Sequence, residues 1–308
     1  ERHTATRELD YLFSIANYRV IPATLLATPR RYAVNYHDGP LPSYAGMYVT
    51  SWALMNGETT HGITWHVMVE EVDAGPILAR VPVSITPADT AASLNLKVFT
   101  AAARSFGPLV ATLDAGAERP EPQDLASRLY FGYHDRPPNA CLIDCAQPAA
   151  RVSAFVRALT FGAGPNPLGT PKVRADDAWL LVGGAVVADT ASGAPPGTIV
   201  AADADGLTVA AADGDVRLRQ LHALDGTPVD TTRITPGRRL WRPSEGESTA
   251  LTEAYARAAR AEAAWIRRLH AASPLRLQPE LGGAATRDGV ARDRVLDPAP
   301  GDEPRWVA

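Results

Sequence analysis

The sequence predicts an α/β domain followed by a small β-barrel domain and a helical tail. Three observations predict it. In the first third of the chain, short apolar runs alternate with helix-length stretches, the pattern of an open sheet covered by helices. Between residues 178 and 221, four short strand-like runs are separated by Gly and Asp-Gly turns, the spacing of a small barrel. From Ser244, a capped stretch with helical periodicity leads into an Ala/Asp/Arg/Pro-rich tail.

Residues 10–15 (Asp-Tyr-Leu-Phe-Ser-Ile) read as a buried parallel strand, and residues 22–26 start a short helix. Residues 32–36 form the next strand, whose end delivers His37 into a loop, the place where open α/β sheets carry their chemistry. A helix over 49–55 stops at Asn56-Gly57. Two β-rich runs, 62–69 and 77–85, are joined by a turn carrying Asp73. Residues 90–113 form a long amphipathic helix with Leu94, Val98, Ala101, Ala102, Phe106, Leu109 and Val110 on one side.

Pro-rich, charged breaks at 116–122 and 135–138 bound a linker holding Leu129-Tyr130-Phe131. Another helix spans 148–159. Strands follow over 178–188, 198–202, 207–211 and 216–221, with Asp213-Gly214 marking a hairpin. The last helix runs from Ser244, capped with Glu247, to His270, with Leu251, Tyr255, Ala258, Trp265 and Leu269 near one face. The domain division is therefore 1–117, a linker over 118–137, 138–243, and a helix with a flexible interdomain linker over 244–308.

Bulk composition excludes several classes. Of 308 residues, 46% are apolar and 21% charged, ordinary for a globular protein, and the net charge of −4 argues against a nucleic-acid groove. No run approaches a membrane span, and Glu1-Arg2-His3-Thr4 lacks a secretory core, so the expected location is cytoplasmic. The two cysteines, Cys141 and Cys145, have no second pair or His-x-x-x-His to share a metal, and read as small core hydrophobes. His61 and His66 share a strand at odd spacing, which disfavours a joint metal site. Gly162-Ala163-Gly164 lacks the third glycine of a dinucleotide loop.

One segment stands out. Asn35-Tyr36-His37-Asp38-Gly39-Pro40-Leu41-Pro42 puts an amide and an imidazole at a Gly/Pro-shaped turn, with the Asp73 carboxylate 36 residues beyond His37. These groups suit the attack of a neutral amine on a one-carbon acyl donor. Such a transfer passes through a tetrahedral oxyanion, and losing one oxyanion donor costs about 10²–10³ in rate. Asn35 and His37 are assigned as oxyanion stabilisers and Asp73 as the orienting acid/base group. Asp38 is the weaker competitor, because neighbours in an extended segment point apart.

The same residues carry a resemblance. Asn35-x-His37 near Leu41-Pro42-x-Tyr44-x-Gly46, then the stretch from Trp52 to Gly57, Gly62-Ile63-Thr64, and Asp73-x-Gly75-x-Ile77-Leu78 downstream resemble, in order, the active-site signature of the folate-dependent, methionyl-tRNA formyltransferase-like family. The resemblance covers residues 10–113 and, through Gln147-Pro148-Ala149-Ala150, Pro196-Gly197-Thr198-Ile199-Val200 and Asp205-Gly206-Leu207-Thr208-Val209, residues 127–242. It implies a partial Rossmann-like catalytic domain and a small OB-like C-terminal barrel. It also implies 10-formyltetrahydrofolate as the donor, with Asn17, Tyr18, Ile21 and Val72 contacting it. The family's catalytic domain begins with strand–helix units not matched here, and the chain opens on Glu1 rather than Met, so a fragment of a longer polypeptide is expected.

The segment from Asn35 to Gly46 looks closest to formyltransferase domains fused to nonribosomal peptide synthetases, and the stretch from Glu262 to Leu269 resembles the lead into a next synthetase domain. That implies an aminoacyl carrier protein and adjacent synthetase domains as partners. Family members acting on initiator tRNA carry basic residues in the Leu-Pro turn, where this chain has Ser43 and Ala45. Methionyl-tRNA is therefore the second expected acceptor and a sugar-nucleotide amine the third. A catalytically silent scaffold module is the rival class.

Overall fold

The computed structural model describes residues 8–17, 19–164 and 166–271; Tyr18 and the tail from 282 lie outside the described residues. The first unit contains, in order, β1 (Tyr11–Ser14), α1 (Ala23–Leu26), β2 (Tyr32–His37), β3 (Ala45–Gly46), α2 (Val49–Asn56), β4 (Thr60–Val67), β5 (Ile77–Ser84) and α3 (Ala91–Asp114). Its main sheet has the order β1-β2-β4-β5, parallel between β1 and β2 and antiparallel elsewhere. β1 has the expected parallel pairing. Among the described residues it pairs on one side only, as an edge strand in which Ser14 alone is fully buried.

The register of β2 on β4 sets which residues face where. Tyr36 pairs with Trp65, and both turn towards α3. Trp65 is buried, its ring 5.6 Å from Tyr36 and 5.7 Å from Phe106, and its indole N–H donates to Ser105 Oγ at 2.9 Å. Asn35 pairs with His66 and His37 with Thr64, so these four side chains share the other face of the sheet. α3 is stopped at its start by a reciprocal cap between Thr90 and Ser93. Its buried stripe is Leu94, Val98, Ala102, Leu109 and Leu113. Val110 is not part of it, because one residue past Leu109 lies about 100° round the helix.

The linker is ordered against this unit. β6 (Tyr130–Phe131) pairs in parallel with β3, Ala45 N donating to Leu129 O at 2.9 Å and Met47 N to Phe131 O at 2.8 Å. The Phe131 ring stacks on Tyr44 and Trp52, with centroids 5.6 and 5.2 Å away. This approach requires glycine at 46. Its φ is +96°, and a Cβ there would come within 2.0 Å of Phe131 O. Gly46→Ala is expected to destabilise the chain by about 2–4 kcal/mol. Urea denaturation measures this, and an unshifted midpoint would contradict the close approach.

The second unit follows with α4 (Ala149–Ala158), β7 (Lys172–Ala175), β8 (Ala178–Val187), β9 (Ile199–Asp203), β10 (Gly206–Ala210), β11 (Asp215–His222) and α5 (Glu245–Ala271). The expected barrel takes the form of a curled antiparallel sheet, β7-β8-β11-β10-β9, around one core. In that core Val152 and Val156 of α4 meet Leu180, Val182, Leu207 and Leu218. The predicted hairpin turn does a second job, since Asp213 Oδ1 accepts the Ala149 N–H at 2.8 Å and caps α4, whose own N-cap residue is Pro148. α4 also joins the two units. Ala158 is buried in the first core, and Arg151 donates to Met55 O near the end of α2 at 2.9 Å. Cys141 and Cys145 are free and buried.

α5 carries the expected Ser244–Glu247 cap and docks through Tyr255, whose hydroxyl donates to Leu168 O at 2.9 Å. Ala259 rather than Ala258 is the buried alanine, and Trp265, Ile266 and Leu269 are exposed. Among the described residues, no helix is long and apolar enough to cross a membrane.

Candidate active site

β2 ends in a turn held from both sides. Thr64 Oγ1 accepts from Leu41 N at 3.1 Å and donates to Gly39 O at 2.8 Å, and His61 Nε2 donates to Asp38 O at 2.8 Å. Inside this turn His37 is only 5% exposed. Its Nε2 lies 2.5 Å from Tyr44 O, and since a carbonyl can only accept, Nε2 carries a proton. Nδ1 is then the position that can exchange one. It faces Asp73 Oδ2 at 3.6 Å and Asp38 Oδ1 at 3.9 Å.

Asp73 reaches this place because the β4–β5 connection folds back tightly. A Cβ at Gly75 would sit 1.8 Å from Val67 O, so the Asp-x-Gly spacing is a steric requirement of the return. Asp73 itself has φ +56°, a left-handed conformation that Asp tolerates better than most residues. Gly46 N donates to Asp73 Oδ2 at 3.0 Å. From the linker, Gln123 Nε2 donates to the carbonyls of Asp73 and Gly75 at 2.9 and 2.6 Å. Gln123→Ala is expected to lower turnover ~10-fold with little change in melting temperature, by freeing the carboxylate to wander. Steady-state kinetics beside a thermal melt would test this, and unchanged turnover would refute it.

The electrostatics are one-sided. Burial alone would raise the Asp73 carboxyl, but the contact with His66, the nearby His37 and the Gly46 N–H outweigh it, holding it at about 2. Burial lowers the His61 imidazole, with the Asp38 carbonyl opposing.

The three residues expected to carry the chemistry therefore lie together, Asn35 and His37 on one face of β2 and Asp73 on the returning loop. The four residues expected to contact the donor are placed less tightly. Asn17 and Ile21 follow the carboxyl end of β1, whose last residue Ser14 pairs with Asn35, but the Asn17 side chain closes a local turn with the Arg19 backbone. Val72 is exposed next to Asp73, its carbonyl held by Arg128 at 2.6 Å. Tyr18 lies outside the described residues. A surface groove elsewhere, between β5 and α3 and lined by Val81, Lys97 and Arg104, contains none of the three.

One residue of the site was missed in the sequence. His66 Nε2 lies 3.2 Å from Asn35 Nδ2 and 3.5 Å from Asp73 Oδ1. The available signal was alternation: Thr64 and His66 flank the core residue Trp65, on a strand able to lie beside the Asn-x-His strand.

With this geometry in view, known families decide the kinship. A model described as "Formyl transferase" matches residues 2–107, and one described as "Formyl transferase, C-terminal domain" matches residues 137–239. The chain belongs to the formyltransferase family. Among solved structures, this formyltransferase resembles an N-formyltransferase from Helicobacter canadensis in complex with folinic acid and dTDP-3-aminofucose. The TM-score is 0.56 and the identity 17%, over 68% of this chain and 73% of that one. WlaRD, a sugar 3N-formyl transferase solved in the presence of dTDP and 5-N-formyl-THF, gives 0.55 and 17%, over 67% and 71%. HypX from Aquifex aeolicus in complex with tetrahydrofolic acid gives 0.54 and 19%, over 73% of this chain and 38% of HypX. At these identities the likeness is one of fold.

Proposed function

We propose that this formyltransferase moves the formyl group of 10-formyltetrahydrofolate to a primary amine, and that the preferred acceptor is the α-amine of an aminoacyl group on a carrier protein. The observation that carries the chemistry is the juxtaposition of His37 Nδ1 and Asp73 Oδ2 at 3.6 Å, next to the half-buried amide of Asn35. The amine nitrogen attacks the formyl carbon, and the carbonyl pair moves onto oxygen. Asn35 N–H donates to that oxygen, and His37 adds a second donor once protonated. The amine proton leaves to Asp73, directly or through His37. Collapse then breaks the bond to the folate nitrogen, which takes up a proton, leaving a formamide and tetrahydrofolate. The folate complexes of the three neighbours support this donor.

Two features support the carrier-bound acceptor. The segment from Asn35 to Gly46 resembles synthetase-fused formyltransferase domains, and residues 138–243 carry ten basic and ten acidic side chains, a poor balance for gripping tRNA. Adjacent synthetase domains are the partners this reading implies. An intact-mass assay tests it: the chain, 10-formyltetrahydrofolate and an aminoacyl-loaded carrier protein, with His37→Ala as control. Gain of one formyl mass, lost in the variant, is the expected result. Formylation of methionyl-tRNA or a sugar amine but not the carrier would replace the acceptor. No product from any of them, with folded protein and loaded carrier verified, would make this a silent docking module.

A further inference from the structure

We propose that His66 is a positioning residue of this site, whose imidazole ties the Asn35 amide to the Asp73 carboxylate so that the oxyanion donor and the proton acceptor move together. The inference rests on the formyl-transfer reading for its catalytic meaning, but its geometry stands alone. His66 is 2% exposed on the face of β4 that carries the site, opposite Asn35 in the register. A buried position of this kind is filled at lower cost by an apolar ring, because every polar atom taken from water must find a partner. Here both ring nitrogens are engaged.

Nδ1 lies 2.9 Å from Val67 O, and since a carbonyl can only accept, Nδ1 carries a proton and the ring plane is fixed. That contact leaves Nε2 as the free end of the imidazole. In the neutral ring Nε2 can only accept, and it takes the Asn35 Nδ2 N–H at 3.2 Å; toward Asp73 Oδ1, 3.5 Å away, it can act only as a donor, once protonated. One nitrogen cannot satisfy an amide and a carboxylate equally, so a change at either is passed to the other. Beside His66 the β4–β5 register shifts, Trp65 pairing with Ala79 and His66 with Ile77, so the extra residue is Leu78 on β5. Asp73 is also held from its other oxygen, through Gly46 N at 3.0 Å and with His37 Nδ1 at 3.6 Å, so His66 supplies the contact on the remaining side. Loss of His66 would leave the carboxylate oriented from one side only.

The test uses the purified chain with His66→Ala, His66→Gln, Asn35→Ala and the His66→Ala/Asn35→Ala double variant, each checked for folding by thermal melt. His66→Ala is expected to lower kcat ~10- to 100-fold with KM for the folate within about twofold. His66→Gln, whose amide can meet the same two partners, recovers much of that loss. In the double variant the two effects fall short of multiplying by at least about fivefold, because the residues act as a unit. A kcat unchanged in His66→Ala, or full multiplication in the double variant, overturns the proposal. A second arm needs no turnover. The Asp73 carboxyl, assigned by comparison with Asp73→Asn, is titrated by carbon NMR, and its midpoint is expected to rise in His66→Ala. A midpoint that stays put overturns the proposal even if the wild-type chain formylates nothing, an outcome that by itself counts only against the formyl-transfer reading.

Discussion

Replacing His37 by alanine is expected to lower kcat for formyl transfer roughly 10²–10³-fold while KM for either substrate changes little. The asymmetry follows from when the imidazole acts. Nε2 is committed to Tyr44 O, so His37 meets the reaction through Nδ1, which faces two carboxylates at 3.6 and 3.9 Å without a direct hydrogen bond to either. In the resting state that position does little. As the amine loses its proton and charge builds on oxygen, a proton at Nδ1 becomes favourable because the Asp73 carboxylate already lies beside it. Interactions made only in the transition state appear in kcat. The substitution also strands the Tyr44 carbonyl and opens a hole against Gly39, costing about 1–3 kcal/mol of stability. Rates should therefore be compared well below the variant's melting temperature. A His37→Ala chain that turns over within about threefold of wild type would remove His37 from the chemistry altogether.

The parts of this molecule that were legible in the sequence are those whose cause is local. The stripe of α3 repeats within one helix, the β4–β5 hairpin is bounded by its own turn, and Asn35 and His37 declare themselves two apart on one strand. What escaped depends on partners far along the chain. β6 is two residues long and shows no periodicity; it exists because Gly46, 85 positions away from Phe131, leaves room for its carbonyl. The short strand β7 went unseen for the same reason, its order supplied by pairing with β8. His66 was weighed only as a metal ligand to be shared with His61. Its real neighbours, Asn35 and Asp73, follow from the β2–β4 register and from the loop return at Gly75, neither of which a linear reading supplies. His61, by contrast, reaches the Asp38 carbonyl and the Tyr44 ring.

Asp73→Asn is expected to have the largest effect on turnover, a loss of roughly 10³-fold or more, and to carry a stability signature in acid. Asparagine is the same size, and its Oδ1 can still accept the Gly46 N–H, so the loop held by Gln123 is preserved. What disappears is the negative charge between two imidazoles. The carboxyl is held at about 2 against an ordinary value of 3.8 and is ionised throughout the working range. Asp73 in the resting enzyme therefore cannot produce an acidic limb in the rate profile near neutrality. The sign of the stability effect follows directly. A folded value below the unfolded one means that the unfolded chain takes up the proton first as pH falls. The charge therefore contributes about 2 kcal/mol above about pH 4, and that contribution is lost as pH falls from there towards about 2. Other carboxylates titrate in the same window; Asp89, held by Thr86, Ser93 and Lys97, also lies at about 2. The informative quantity is accordingly the difference in unfolding free energy between wild type and Asp73→Asn, which isolates one group. It should shrink by about 2 kcal/mol between about pH 5 and about pH 2. Loss of turnover with a difference that stays constant across that range would mean a carboxylate required by the reaction but not held by the imidazoles, and the electrostatic account of the site would fall.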